Sequence, residues 1–294
     1  MKKYILLTFQ LLLAGLLSAQ ELEMEDGIYF EKPLYRDSTD HKYSLDNISY
    51  KVNSVFVFDY YYIDKDGTKK KFLKSDKSAT IDNPLNLVSY DSNEKNVINK
   101  IKIVVDDHLK MFIGNDSDYT QTVFSYMYLR PNETTSDPFC EKHNKEHPKQ
   151  AFSCGDESTG IVDNKKNIWM HPPRSFTFRI LQLNPFPFYY RDETVKNWSW
   201  HLTTGGNYLD PRWINQSEKI TIEYNYSRQG DEMIETPLGK LRCKVTQSTG
   251  SCPLKNGTLK TGLKSFYHPD FGFVRLEYDN VNGTKLVMQL IDTK

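Results

Sequence analysis

The chain has 294 residues, with 38 basic and 38 acidic side chains and a formal net charge of +0. That balance excludes the broad basic field on which nucleic-acid binding depends. The length suits one large all-β domain or two smaller ones, and an aromatic content of 13%, with Tyr 19 and Phe 16, favours half-buried strands.

Residues 1–19 read as an export signal. Lys2 and Lys3 form a short basic start, Ile5 to Leu17 is apolar apart from Thr8, Gln10 and Gly15, and Ser18-Ala19 offers small residues for cleavage before Gln20. A membrane-spanning helix needs about 20 apolar residues. This run is shorter and ends in the polar stretch QELEMED, and no later segment approaches spanning length. The first cysteine is Cys140, so lipid attachment to a cysteine at the mature N-terminus is excluded. The expected location is outside the cytoplasm: periplasmic, outer-membrane-associated or secreted.

Residues 20–130 form an N-terminal β region. ISYKVNSVFVFDYYYI at 48–63 is dense in β-branched and aromatic residues, Asp66-Gly67 marks a hairpin turn, and TKKKFLK is a return strand. Asn83-Pro84 marks a turn before LNLVSY. In VINKIKIVV, Ile101, Ile103 and Val105 point one way and Lys100 and Lys102 the other, the mark of a strand with one wet face. HLKMFI at 108–113 continues the pattern, and TVFSYMYLR at 122–130 is a further strand.

Residues 131–167 are polar, rich in turn formers, and hold Cys140 and Cys154. They read as a long surface loop or insertion. Residues 168–294 form a C-terminal β region, continuous in one domain with 20–130. It opens with an aromatic stretch holding all four tryptophans, Trp169, Trp198, Trp200 and Trp213, and the string SFTFRILQL reads as a strand between proline turns. Turns at Thr236-Pro237-Leu238-Gly239, Asn256-Gly257 and Asn282-Gly283 then divide a meander. Val274, Leu276 and Tyr278 should share a buried face with Leu286, Met288 and Leu290 of the partner strand. The predicted fold is mainly β: a large curved antiparallel sheet, half-barrel-like, with few short helices.

Four cysteines in an exported chain suggest disulfides. The sequence-local pairs are Cys140–Cys154 and Cys243–Cys252, each closing a short loop and contributing about 2–3 kcal/mol; two other connectivities stay open. Cys140, His143, His147 and Cys154 also form a tetrahedral zinc set by ligand type, with a spacing irregular for structural zinc sites. Ligand-binding candidates are Trp169, His171, Arg174, Trp198, Trp200 and Trp213. His171 and Arg174 flank a rigid Pro-Pro corner that could present cations to an anion, or simply fix the corner. The tryptophans could line a groove, or build core. His268 and Asp270 share a turn, and no nucleophile elbow, phosphate loop or dinucleotide fingerprint accompanies them.

The string ETPLGKLRCKV…TLKTGLKSFYHPDFGFVRLEYDNVNGTKLVMQLI resembles a pattern of bacterial periplasmic domains, in which a TP-x-G turn precedes a strand and a P-x-x-G-x-V strand precedes the last hairpin. Those domains are similar to the lipoprotein-carrier half-barrel, and the match covers roughly residues 218–291. The resemblance implies an antiparallel half-barrel with an apolar concave face and a lipid or acyl ligand. The resulting expectation is an exported, non-enzymatic binding or carrier-type protein of the bacterial cell envelope, without cofactor, for a lipid or another apolar small molecule. The alternative is a structural module in which the 131–167 segment and the tryptophan region bind an envelope protein. A hydrolase would need converging Asp, Glu or His pairs that no motif displays.

Overall fold

The structure is a computed structural model that describes residues 22–31, 47–74, 85–106, 122–134, 138–147, 155–175, 177–206, 209–215 and 219–294. The export signal, the Asn83-Pro84 turn, the 108–113 segment and Cys154 lie outside the described residues. A short hairpin, β1 (Leu22–Glu25) and β2 (Ile28–Glu31), precedes the main sheet. The first half of the chain then supplies β3 (Val55–Ile63), β4 (Lys69–Phe72), β5 (Leu87–Ser89), β6 (Lys100–Asp106), β7 (Thr122–Leu129), helix α1 (Pro138–Glu146), β8 (Glu157–Asp163) and β9 (Asn167–Met170). The second half supplies a 3-10 helix (Arg179–Leu183), β10 (Phe188–Tyr190), β11 (Asn197–Gly205), β12 (Lys219–Thr236), β13 (Gly239–Leu254), β14 (Gly257–His268), β15 (Gly272–Asp279) and β16 (Lys285–Thr293).

Fourteen of these strands make one antiparallel sheet, in the order β10-β9-β8-β7-β6-β3-β16-β15-β14-β13-β12-β11, with β4 and β5 beside β3. It is two meanders joined where β3 pairs with the C-terminal β16, Tyr60 opposite Met288 and Phe58 opposite Leu290. The hairpin turns fall where the sequence places them: Gly67, Gly239, Gly257 and Gly283 all take positive φ. Leu276 faces Met288 and Tyr278 faces Leu286 on the buried side, and Ile101, Ile103 and Val105 are fully buried. The fold is therefore mainly β and antiparallel, and the sheet does not close into a barrel by hydrogen bonding.

Connectivity dictates its curvature. Strands β10 and β11 end the path on opposite sides, yet only Arg191–Lys196 separate them in the chain. Such a link reaches at most about 25 Å, whereas a flat path of twelve strands would be roughly 50 Å wide. The sheet must roll until its two edges meet. The β8–β10 edge is accordingly buried on both faces. Ile161, Ile168, Met170 and Tyr189 join the main core with Phe58, Tyr60, Tyr126, Leu276 and Met288. Val162, Trp169, Phe188 and Tyr190 join a second core with Trp200, Ile222, Tyr224 and Tyr226. The β1–β2 hairpin closes this second core with Ile28 and Phe30, tied by Tyr29 N donating to Asn167 Oδ1 at 2.8 Å and Asn164 Nδ2 to Tyr29 O at 2.7 Å.

Two arginines clasp the rolled edge. Arg191 donates to the fully buried Asp163 at 2.5 Å, to Asn164 O at 2.8 Å and to the Tyr267 hydroxyl. The other Asp163 oxygen accepts Ser49 N at 2.7 Å and Tyr50 N at 2.8 Å. Arg228 of β12 lies over the Tyr189 ring and donates to Tyr189 Oη at 2.6 Å, Tyr190 O at 2.7 Å and Val195 O at 3.0 Å. A register shift follows Arg228 in β12, beyond which the strand runs out of the core into solvent. Gly272, at φ +69°, is required by a close approach: a Cβ there would lie 2.5 Å from the Tyr50 ring.

Three expectations are revised. Residues 131–167 are not a loop throughout: they hold α1 and the internal strand β8. The described residues of SFTFRILQL hold no strand: Phe178, Ile180, Leu181 and Leu183 are all buried, and Arg179–Leu183 winds into a 3-10 turn. The Cys243–Cys252 disulfide does not form; both are buried free thiols. They lie on the same strand, nine residues and about 30 Å apart, whereas a disulfide needs Cα atoms within roughly 7 Å. Cys243 packs in the main core and Cys252 in the second, and burial pushes the Cys243 thiol up to about 12. Cys140 is buried and is not a free thiol, and its expected partner Cys154 lies outside the described residues. The apolar concave face, which the sequence leaves open or filled, is filled: its side chains pack against one another as the main core.

Two predictions follow from this packing. Asp163→Ala takes the carboxylate from the half-buried Arg191 and strands the buried amides of Ser49 and Tyr50, and should cost about 3–5 kcal/mol in urea unfolding, whereas Glu232→Ala, which breaks the exposed Lys264 pair, should cost at most about 1 kcal/mol. Alkylation of the unreduced chain should label Cys243 and Cys252 after unfolding and neither while folded; an unlabelled pair would contradict the assignment.

Candidate ligand-binding cleft

The six expected ligand residues do not form one surface. Trp169 and Trp200 are buried, edge to face at 5.3 Å, with Phe186 packed 5.3 Å from one and 4.8 Å from the other. Trp200 stacks on Tyr224 and Trp198 on Tyr226. Trp198 reaches a surface groove with Asn197 and Asn225, and Trp213 a different one with Asn215 and Leu254. The tryptophans therefore fill the second core, as large aromatics usually do. His171 and Arg174 lie together past the end of β9, where the Pro172-Pro173 corner turns the chain back over Phe186. The Arg174 guanidinium contacts His171 Nδ1 and lies 4.8 Å over the Phe186 ring. Burial, aided by the Arg174 charge, pulls the His171 pKa well below its ordinary value.

Arg174 opens onto a cleft of about 560 Å³ at one end of the unzipped seam. Its walls come from the start of β8 (Glu157, Ser158, Thr159), the turn carrying Arg174 and Ser175, the 3-10 helix (Arg179, Gln182), the end of β11 (Leu202, Thr204) and Leu209. The 3-10 geometry explains the pairing of Arg179 with Gln182. With three residues per turn, positions i and i+3 eclipse, so both polar side chains of an apolar segment leave from one face.

The acids of the cleft are held by the protein itself. Glu157 accepts the Tyr128 hydroxyl at 2.8 Å, Arg174 N at 2.9 and 3.1 Å, and Ser175 N at 2.8 Å. Asp156 pairs with Lys74 at 2.6 Å and accepts Tyr128 N at 2.7 Å. Burial lowers the pKa of Arg179, offset in part by Asp210, whose carboxylate is itself bound by Arg212 at 2.5 Å. Gln182 is 7% exposed and its Oε1 has no hydrogen-bond partner, a costly state for a buried acceptor.

The remaining sequence candidates are placed elsewhere. His143 of α1 and His147 just past its end pack with ring centroids 4.8 Å apart and planes tilted by 41°. With Cys140 not a free thiol, the proposed zinc set loses a thiolate ligand, and among the described residues no group of three His, Cys, Asp or Glu side chains could hold a metal. His268 and Asp270 form a surface turn, 3.9 Å apart with Asp270 largely exposed. Glu157, Arg179, Gln182 and Thr204 were not singled out from the sequence. The available signal was a polar pair three residues apart inside FRILQL.

No protein-family model matches the chain, and no curated protein matches it. Two solved structures are similar. One is a candidate exported protein with a YmcC-like fold from Bacteroides fragilis, with 12% identity, 84% of this chain and 98% of that chain covered, and a TM-score of 0.42. The other is a candidate lipoprotein from Parabacteroides distasonis, with 15% identity, 84% and 97% covered, and a TM-score of 0.37. Among the described residues, no helix is long and apolar enough to cross a membrane.

The His171 environment has a pH signature. The unfolded chain binds a proton at His171 near pH 6.5 and the folded chain does not, so stability should fall as pH drops from about 6.5 to 5. His171→Gln should flatten that part of the profile in thermal unfolding. An unchanged slope would show that His171 takes up its proton in the folded state.

Proposed function

We propose that the chain is exported from the cytoplasm and works as a non-enzymatic binding protein of the cell envelope, with its ligand seat in the Glu157–Arg174–Arg179–Gln182 cleft. Export is supported by the N-terminal pattern of residues 1–19. Binding is supported above all by the cleft itself, of about 560 Å³, on whose wall the side chains of Arg174, Arg179 and the nearly buried Gln182 come together. That volume lies in the range of small-molecule sites, roughly 300–1,000 Å³. The side chains a lipid carrier would open to an acyl chain are here packed against each other, and nine of the eleven residues lining the cleft have polar side chains, so the reading moves from an apolar ligand to a polar one. A non-catalytic role is supported by the state of its acid and imidazole. Glu157 is saturated by protein donors and His171 is engaged by Arg174, which leaves neither placed as a general base.

Native mass spectrometry of the exported chain, purified without denaturation from a bacterial host, tests this reading. Wild type should carry a small-molecule adduct, and Gln182→Leu, which removes an unpartnered buried polar atom and should fold normally, should lose it. Identical adduct-free spectra of both proteins would overturn the proposal.

A further inference from the structure

The outer face of the sheet divides into two chemistries. Over β14–β16 its long side chains are knit into ion pairs, among them Lys264–Glu232 at 2.8 Å, Arg275–Glu277 at 2.6 Å and Lys285–Asp279 at 2.8 Å. Over β11, β12 and the middle of β13 lies a patch without charge. Register sets Asn197, Ser227 and Gln247 side by side in one row across these three strands, and Ser199, Asn225 and Thr249 in the next. The six line a groove of about 500 Å³, whose other two lining residues, Trp198 and Tyr226, are stacked on each other. Ser227 is the short member of its row. It lies between two amides, with Asn225 two residues before it on the same face, so three amide side chains surround one low point. Gln229 closes the end of that hollow, donating to Ser227 O and Oγ at 3.3 Å. Among the described residues, the side chains of Asn197, Asn225 and Gln247 bond to no other group of the chain. Charge returns at the margins, with Glu223 in the following row and Lys264 opposite Gln247.

We propose that this groove is a second binding site, and that it takes a short stretch of a neutral glycan chain. Each amide offers one carbonyl acceptor and two N–H donors, the complement of neighbouring sugar hydroxyls that both donate and accept. A charged ligand would find no countercharge among the lining side chains. A protein hot spot or a lipid would need exposed apolar anchors, and an extended peptide would need a strand edge or pockets for its side chains; the two rows present an open face of amides and hydroxyls. Three strands span about 10 Å, a width that suits a segment of chain. None of the groove residues lines the cleft, so this site stands or falls independently of the ligand seat proposed there.

The test is a titration of the mature, nitrogen-15-labelled chain with maltohexaose, cellohexaose and mannohexaose, read in its amide NMR spectrum, with a heparin hexasaccharide as the anionic control. At least one neutral probe should shift the amides of Asn197–Ser199, Asn225–Ser227 and Gln247–Thr249 at about 1–10 mM, and the anionic control should leave them in place. The double variant Asn225→Ala/Gln247→Ala, both on the outer face, should keep the wild-type thermal midpoint and bind the same probe at least about tenfold more weakly, as the loss of two hydrogen-bonding side chains requires. Gln182→Leu in the cleft should leave the titration unchanged. No shift from any neutral probe at about 10 mM with folded protein would overturn the proposal, as would equal shifts from the anionic control or undiminished binding by the double variant. Loss of binding in Gln182→Leu alone would move the glycan to the cleft, overturning this site while keeping the other.

Discussion

A carboxylate with no solvent exposure, Asp163, sits where three distant pieces of chain converge, and the rolled sheet depends on it. It takes the guanidinium of Arg191 on one oxygen and the backbone amides of Ser49 and Tyr50 on the other. Isolated, such a charge would be too costly to bury; paired and hydrogen-bonded on both oxygens, it is tolerated. Because Arg191 is the first residue after β10, the interaction fixes the departure of the link that carries the chain from one sheet edge to the other. Arg228 does the same from the far side, binding the carbonyls of Tyr190 and Val195 across the link. The two clasps hold with side chains a seam that backbone hydrogen bonds leave open.

Rolling has a cost and a consequence. It places β9, β10 and the end of β8 between two cores, where most side chains are apolar. The polar ones there are satisfied in part: in the β8–β9 turn Asn164 Oδ1 accepts the amides of Lys166 and Asn167, and Asn167 Oδ1 accepts Tyr29 N while its Nδ2 has no partner. The consequence is an aperture. Aromatic rings from Trp169, Phe186, Phe188, Trp198 and Trp200 fill the seam over most of its length. At the β8 start and the β11 end the aromatic fill gives way to Glu157, Arg174 and Thr204, and the cleft opens there. Its position is thus a product of topology.

The sequence disclosed the parts of this fold that have one wet face. In β6, β15 and β16, lysines, arginines and glutamates alternate with aliphatics, and the Asp66-Gly67, Asn256-Gly257 and Asn282-Gly283 turns punctuate them; both signals are local and survive in the structure. Strands buried on both faces lose that alternation. NIWM and FYY are apolar at nearly every position, and period 2 cannot be read from a run without polar residues. RILQL likewise offers no alternation to read, although the spacing of Arg179 and Gln182 places both on the cleft wall. For the cysteines, proximity in sequence is not proximity in space, because an extended strand separates Cys243 from Cys252 by its full rise per residue. His171 and Arg174 were visible because proline isolates them in sequence, while their partner Glu157 lay in a segment whose polarity masked a strand.

Glu157 shows how the walls of the cleft are held in place. Its carboxylate binds the amides of Arg174 and Ser175 from one side and the Tyr128 hydroxyl from the other. Those bonds hold the turn that aims Arg174, so the acid acts as a staple for the cation and is not itself presented to a ligand. Arg179 and Gln182 are set by the winding of a buried 3-10 turn, and Thr204 by its register opposite Ile220 on β12. Each wall group is therefore fixed by contacts made during folding, before any ligand arrives. A site so arranged loses little entropy on occupation, because its side chains are already ordered. An acid engaged by Tyr128 and two backbone amides and an imidazole engaged by Arg174 are what the proposed binding role asks of these walls.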